Sequence, residues 1–144
     1  MSGISSEFLM DLRVDLADAS YSFGQTPIGN RGTGAIKGGT FAGPRLKGTL
    51  EPYGADWMIM RPDDTLDPEV KAVLKTDDGV LIAVEYSGII HPVSKAFAGA
   101  DAYWRVSMRF STSAEKYDWL NRIIAIGQGR LEGRSAIYKI WEIK

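Results

Sequence analysis

The sequence predicts an all-β chain folded as a single antiparallel β-barrel, with at most one short helix. Three observations carry that expectation. Apolar and polar residues alternate with period two along most of the chain, turn residues break the alternation at short spacing, and helical spacing occurs in one segment only. Alternation gives each strand one packed and one wet face, and closing such strands into a barrel removes the unpaired edges of an open sheet.

The first element is "EFLMDLRVDLAD", where Phe8, Met10, Leu12, Val14 and Leu16 share a face opposite Glu7, Asp11, Arg13 and Asp15. "FGQTPIGNRG" offers little core and many turn options, which suits a flap over a barrel mouth. In the stretch "GGTFAGPRLKGTLEPYGADW", Gly38, Gly39, Gly43 and Gly48 read as bulges and corners of strongly curved strands. "PEVKAVLKTDDGVLIAVEYSG" is a hairpin whose turn is Asp77-Asp78-Gly79, with Gly79 taking positive φ. "DAYWRVSMRFST" sets Trp104, Val106, Met108 and Phe110 on one face and Tyr103, Arg105, Ser107 and Arg109 on the other. "SAEKYDWLN" is the helical segment, with Ser113 as its cap and Tyr117 and Leu120 on one side. "RIIAIGQGRL" and "SAIYKIWEI" form a last strand pair around a loop containing Gly133.

Length and composition narrow the function. The chain has 144 residues, the size of one domain over 1–144. It has no cysteine, which excludes thiol nucleophiles and cysteine metal sites. With 17 basic and 18 acidic residues the formal charge is −1, so no general attraction for nucleic acid is expected. The chain shows no leader-like start and no apolar run of spanning length, which predicts a cytoplasmic protein without membrane contact. Four tryptophans in so small a chain leave some only partly covered, which suits a homo-oligomer.

Four motifs, "GGTFAGPRLKG", "GADW", "LKTDDGVLI" and "YDWLNRIIAIGQGR", stand in an order and spacing that resemble the DUF3237 family, also called UPF0311. The resemblance runs from about Phe8 to the C-terminus. It implies an antiparallel barrel of the calycin or allene-oxide-cyclase-like kind and supplies no reaction. The likeness of that barrel type to lipocalins, dirigent proteins and allene oxide cyclases points to small apolar or aromatic ligands.

Candidate chemistry follows from the remaining side chains. His91 is the sole histidine, and Pro92 after it marks a strand end or loop, so it reads as a surface residue. One histidine and no cysteine predict no metal, and no cofactor motif is present: "GQGRLEG" lacks the helix and lysine-serine pair of a phosphate loop, and "IGNRGTG" lies between two expected strands. The proton-transfer and electrostatic candidates are Asp56, Arg45, Arg109 and Tyr117. If Asp56 points inward, desolvation raises its pKa unless a cation such as Arg45 holds it ionised; that pair is either a structural lock or a site. Trp57, Tyr103, Trp119 and Asn121 are the candidate ligand contacts, offering flat surfaces, a phenol and an amide to a planar oxygenated molecule, while Trp119 and Leu120 serve equally as a plug of one barrel end.

Three function classes stay open. The first is an isomerase, cyclase or lyase acting on a small oxygenated or aromatic compound, which requires Asp56, Arg45, Arg109 and Tyr117 to meet at one cavity. The others are a carrier of a hydrophobic ligand and a filled structural or interaction barrel.

Overall fold

The computed structural model describes residues 3–144, apart from the side chain of Ala19. Its strands are β1 (Ser6–Thr26), β2 (Gly29–Ala42), β3 (Lys47–Arg61), β4 (Thr65–Asp67), β5 (Glu69–Thr76), β6 (Leu81–His91), β7 (Tyr103–Ser111), β8 (Ala125–Glu132) and β9 (Ser135–Ile143). Every pairing is antiparallel, and the nine strands close into a barrel: β1 pairs β2 and β9, β2 also pairs β3, and β5 also pairs β6. Strands β4 and β5 share β3 and β6 as neighbours, so they act as one strand interrupted at Pro68. Proline has no N–H to give a ladder, and the break falls where it stands. No helix among the described residues is long and apolar enough to cross a membrane.

The alternation read from the sequence sets the two faces of the wall. Val70, Ala72 and Leu74 on β5 are buried, as are Ile82, Val84 and Tyr86 on β6 and Trp104, Val106, Met108 and Phe110 on β7. The Asp77–Gly79 turn joins β5 to β6 with Gly79 at φ 85°, and Gly133 turns β8 into β9 at φ 63°.

Two details differ from the sequence reading. Along β1 the inward set does not begin at Phe8: a register shift between Phe8 and Met10 buries Leu9 and Met10 together, and Phe8 packs edge-on to Trp141 with ring centroids 5.6 Å apart. A bulge inserts one extra residue and so exchanges the faces on either side of it, which strict alternation does not foresee. The helical segment is a 3₁₀ helix, Glu115–Arg122, preceded by Ala114 instead of a Ser113 cap; the Ala114 N–H is taken by Thr112 Oγ1 at 3.3 Å. A further single turn, α1 (Val93–Ala96), follows Pro92.

The two ends of the barrel differ. Where β3, β6 and β8 begin, the 3₁₀ helix closes the opening with buried Tyr117 and Leu120. Asp78 of the β5–β6 turn secures that lid by accepting hydrogen bonds from Thr76 Oγ1 at 2.5 Å, Tyr117 OH at 3.0 Å and Lys116 Nζ at 3.0 Å. These donors, led by Thr76, hold the Asp78 carboxyl well below the usual carboxylate range. At the other end β1 and β2 run on past β9 as a long hairpin that turns at Pro27–Ile28, and β3 follows them.

Candidate functional site

The end that carries the hairpin opens into a cavity of about 600 Å³ inside the barrel. Its wall is chiefly apolar: Val14, Ile36, Met58, Leu66, Val70, Ile90 and Leu131 are among the residues that line it. Its polar side chains are Asp56, Thr33, Trp104 and the phenols of Tyr86 and Tyr138 in the wall, and Ser20, Tyr21 and Ser22 of the hairpin together with Asp18 and Arg134, the last two exposed and paired with each other at 2.8 Å.

Asp56 reaches the interior because β3 changes register at "EPYGAD". The pairing of β3 with β5 shifts between Leu50 and Gly54, and Gly54 sits at φ 114°, where an L side chain is strained. A Cβ there would also lie 2.2 Å from the Lys71 carbonyl oxygen. After this step Asp56 turns into the cavity and Trp57 turns out, stacked on Phe23 with ring centroids 5.9 Å apart. The Asp56 carboxyl accepts one hydrogen bond, from the Glu69 N–H at 2.9 Å, and pairs with no cation among the described residues. Removal from water therefore dominates, and its pKa rises from an ordinary 3.8 to about 6; the Glu69 N–H pulls it down and the Glu69 charge adds to the rise.

Tyr86 and Tyr138 face each other edge-on, centroids 5.5 Å apart, and Trp104 stands edge-on to Tyr138 at 5.9 Å. Burial pushes both phenols well above their ordinary pKa, and the nearby Asp56 charge pushes in the same direction, so both stay protonated donors. Trp104 is 4% exposed, and its indole lies across Gly129, where a Cβ would fall 2.5 Å from Nε1. That Nε1–H is directed toward the Tyr138 oxygen, a contact that tempers the rise of the Tyr138 pKa but falls short of a full hydrogen bond.

Of the residues singled out in the sequence, Asp56 lines this cavity and the others lie elsewhere. Arg45 does not meet Asp56. It donates to Glu142 at 2.8 Å, lies 3.9 Å over the Trp119 ring and sits at the closed end. Tyr117 is in the lid with its hydroxyl committed to Asp78. Asn121 ties the helix to β7 by accepting the Thr112 N–H at 2.8 Å and donating to the Thr112 carbonyl at 2.9 Å. Arg109 is exposed on the outer wall opposite Glu85, Tyr103 is exposed beneath Arg105, and Trp57 is on the outside. His91 is exposed, with Nδ1 2.9 Å from Thr65 Oγ1. Tyr86, Tyr138 and Trp104 escaped sequence reasoning because they occupy inward positions of alternating strands and read as core. The available signal was chemical, since a phenol or indole at a core position carries a polar atom that needs a partner.

The Arg45 cluster is a structural clasp, and it gives a stability prediction. Arg45 and Lys144 together hold buried Glu142 ionised and below its ordinary pKa, with Arg45 the larger cause. A lowered carboxylate contributes stability that is present above its unfolded pKa and lost as pH falls through the folded one. Arg45→Ala is expected to cost about 1 kcal/mol at neutral pH, discounted for the exposure of the arginine, with the loss shrinking in acid. Urea melts of both proteins across pH check this.

The fold and cavity define a class: a small closed β-barrel with a one-ended, largely apolar interior and a single unpaired carboxyl group in its wall. The chain belongs to the DUF3237 family, described as a protein of unknown function, whose pattern matches residues 4–143. A UPF0311 protein of Bradyrhizobium diazoefficiens is 32% identical over 129 residues, covering 83% of this chain and 84% of that one. The crystal structure of a beta-barrel like protein from Acinetobacter baumannii AYE superposes with a TM-score of 0.90 at 32% identity, covering 100% of this chain and 98% of that one. The hydroalkoxylation enzyme phnH of Penicillium herquei is 27% identical over 139 residues, covering 96% of this chain and 83% of that protein.

Proposed function

We propose that this barrel is an enzyme that binds a small oxygenated or aromatic compound in its cavity and moves a proton with Asp56, as an isomerase, cyclase or lyase does. The observation that carries the reading is the Asp56 carboxyl, set in an apolar wall without a cation, where burial pushes its pKa up to about 6. Such a group changes protonation state near neutral pH and serves as base and then as acid within one turnover. The name of the Penicillium herquei relative supports a specific form of this chemistry, the addition of a hydroxyl group across a carbon–carbon double bond. In that form the Asp56 carboxylate takes the hydroxyl proton and the oxygen bonds to one alkene carbon. The other alkene carbon then takes the proton back from Asp56. Atoms and charge balance, and no co-reactant is needed.

An ortho-hydroxychalcone, which closes a ring by this addition, is a suitable probe. Cyclisation is expected to rise through about pH 6 with a slope of one proton, since the base form starts the reaction. A rate equal to that without protein at every pH between about 4 and 8 counts against the reading. The apolar wall and open mouth also suit a carrier of a hydrophobic ligand. Binding of the probes with no turnover of any of them would favour that second reading.

A further inference from the structure

We infer that the ligand of this cavity is a neutral molecule presenting a carbonyl-type acceptor oxygen, such as a ketone, enone, quinone or lactone, and that carboxylates and phosphates are refused. The inference rests on the reading that the cavity is the ligand site, and it adds what the ligand must be.

The first argument is charge. Arg134 is the only cation among the residues lining the cavity; it lies at the rim, 70% exposed, and is paired with Asp18. The arginine that could have balanced a buried anion, Arg45, is at the closed end with Glu142. An ionised ligand head placed beside Asp56 would lose its hydration without gaining a counter-charge, a cost far above that of burying a carbonyl.

The second argument is the sense of the hydrogen bonds. Tyr86 and Tyr138 are held in their protonated form; Tyr86 turns its hydroxyl hydrogen toward the Tyr138 oxygen, which leaves the Tyr138 hydroxyl hydrogen for a ligand. Trp104 Nε1 is a donor only, fully covered and turned toward the same Tyr138 oxygen without completing a hydrogen bond. Buried donors left without acceptors are costly, and the molecule that completes them supplies acceptor oxygen. A carbonyl conjugated to the reacting double bond would place that oxygen where negative charge gathers as the new bond forms, which is where donors lower a barrier.

The third argument is shape. Gly129 has no side chain beneath the Trp104 indole, and a Cβ there would lie within 2.5–2.8 Å of its Nε1, Cδ1 and Cε2 atoms. The indole therefore lies flat on the wall, leaving the cavity open to a flat ring. Gly129→Ala is expected to lift the indole into the cavity and narrow it.

Calorimetric titration with three bicyclic probes tests the inference: α-tetralone, which has one ketone; tetralin, the same skeleton without oxygen; and naphthoate, which has a carboxylate. The titrations are run at about pH 5, where Asp56 is uncharged, so that refusal of the anion reports the missing cation. Tetralone is expected to bind at least about 10-fold tighter than tetralin, the worth of one good hydrogen bond, with naphthoate undetected. Tyr138→Phe should weaken tetralone about 5–10-fold and leave tetralin unchanged, a split that loss of fold would not give. Gly129→Ala should weaken both. Naphthoate binding as tightly as tetralone, or tetralin matching tetralone, would overturn the neutral-acceptor inference while leaving a ligand cavity in place. If none of the three binds, the cavity reading fails and the inference with it.

Discussion

Asp56→Asn is expected to reduce turnover of a hydroxychalcone probe by about 100-fold or more while making the protein more stable above pH 6. The first effect is the usual contribution of a positioned acid–base group. The second comes from burial. The carboxyl has a folded pKa of about 6 against an ordinary 3.8, so the stability it brings is fully present below about 3.8 and is lost as pH rises through about 6. At about 1.4 kcal/mol per pKa unit that difference is worth roughly 3 kcal/mol at most. Asparagine never ionises, and its side-chain oxygen can still accept the Glu69 N–H, so the variant keeps the contact and avoids the cost. Urea melts at about pH 5 and pH 8 should show wild type weakening between them and the variant holding level. A variant less stable than wild type at pH 8 would make Asp56 a structural residue. Gains in stability on removing a functional group are the expected mark of a site that trades stability for activity.

Gly54→Ala is expected to cost roughly 2–4 kcal/mol and to remove activity as well. Two penalties combine. The residue sits at φ 114°, where a side chain is strained, and the new Cβ would lie 2.2 Å from the Lys71 carbonyl oxygen of β5. Relief requires β3 to separate from β5 or to slip, and either change moves Asp56 two residues later. A slip of one residue exchanges the faces of Asp56 and Trp57, putting an indole in the cavity and the carboxyl in water. Denaturation curves measure the first loss. Asp56 titrating near 4 in a still-folded variant would mark the second. An unchanged midpoint and unchanged activity would show that the bulge is not what aims Asp56.

This dependence on Gly54 also shows why the sequence announces the fold more clearly than the site. Strand faces depend on neighbours two residues apart, so Val70, Ala72 and Leu74, or Trp104, Val106 and Met108, could be placed by alternation alone. The closed barrel followed from that pattern, the glycine turns and the family resemblance. Phe8 fell out of the pattern because a bulge is one residue of irregularity with no strong composition of its own. The site depends on partners far apart in the chain. Arg45 and Asp56 are close in sequence, which invites pairing them, but Arg45 finds Glu142, 97 positions away, across the closed end. Once that cation is spent elsewhere, Asp56 is left to desolvation, and its raised pKa follows. Tyr86 and Tyr138 occupy inward positions of their strands, and nothing local says that their hydroxyl groups share a cavity with a carboxyl.

Carboxyl-carbon NMR titration of Asp56, assigned by comparison with Asp56→Asn, tests the central claim most directly, because function here rests on an acid kept near neutral pKa by an apolar wall. The expected midpoint is about 6, well above the ordinary aspartate value of 3.8. A midpoint near the ordinary aspartate value would mean that the carboxyl is hydrated or paired, and proton transfer by Asp56 would fall with it.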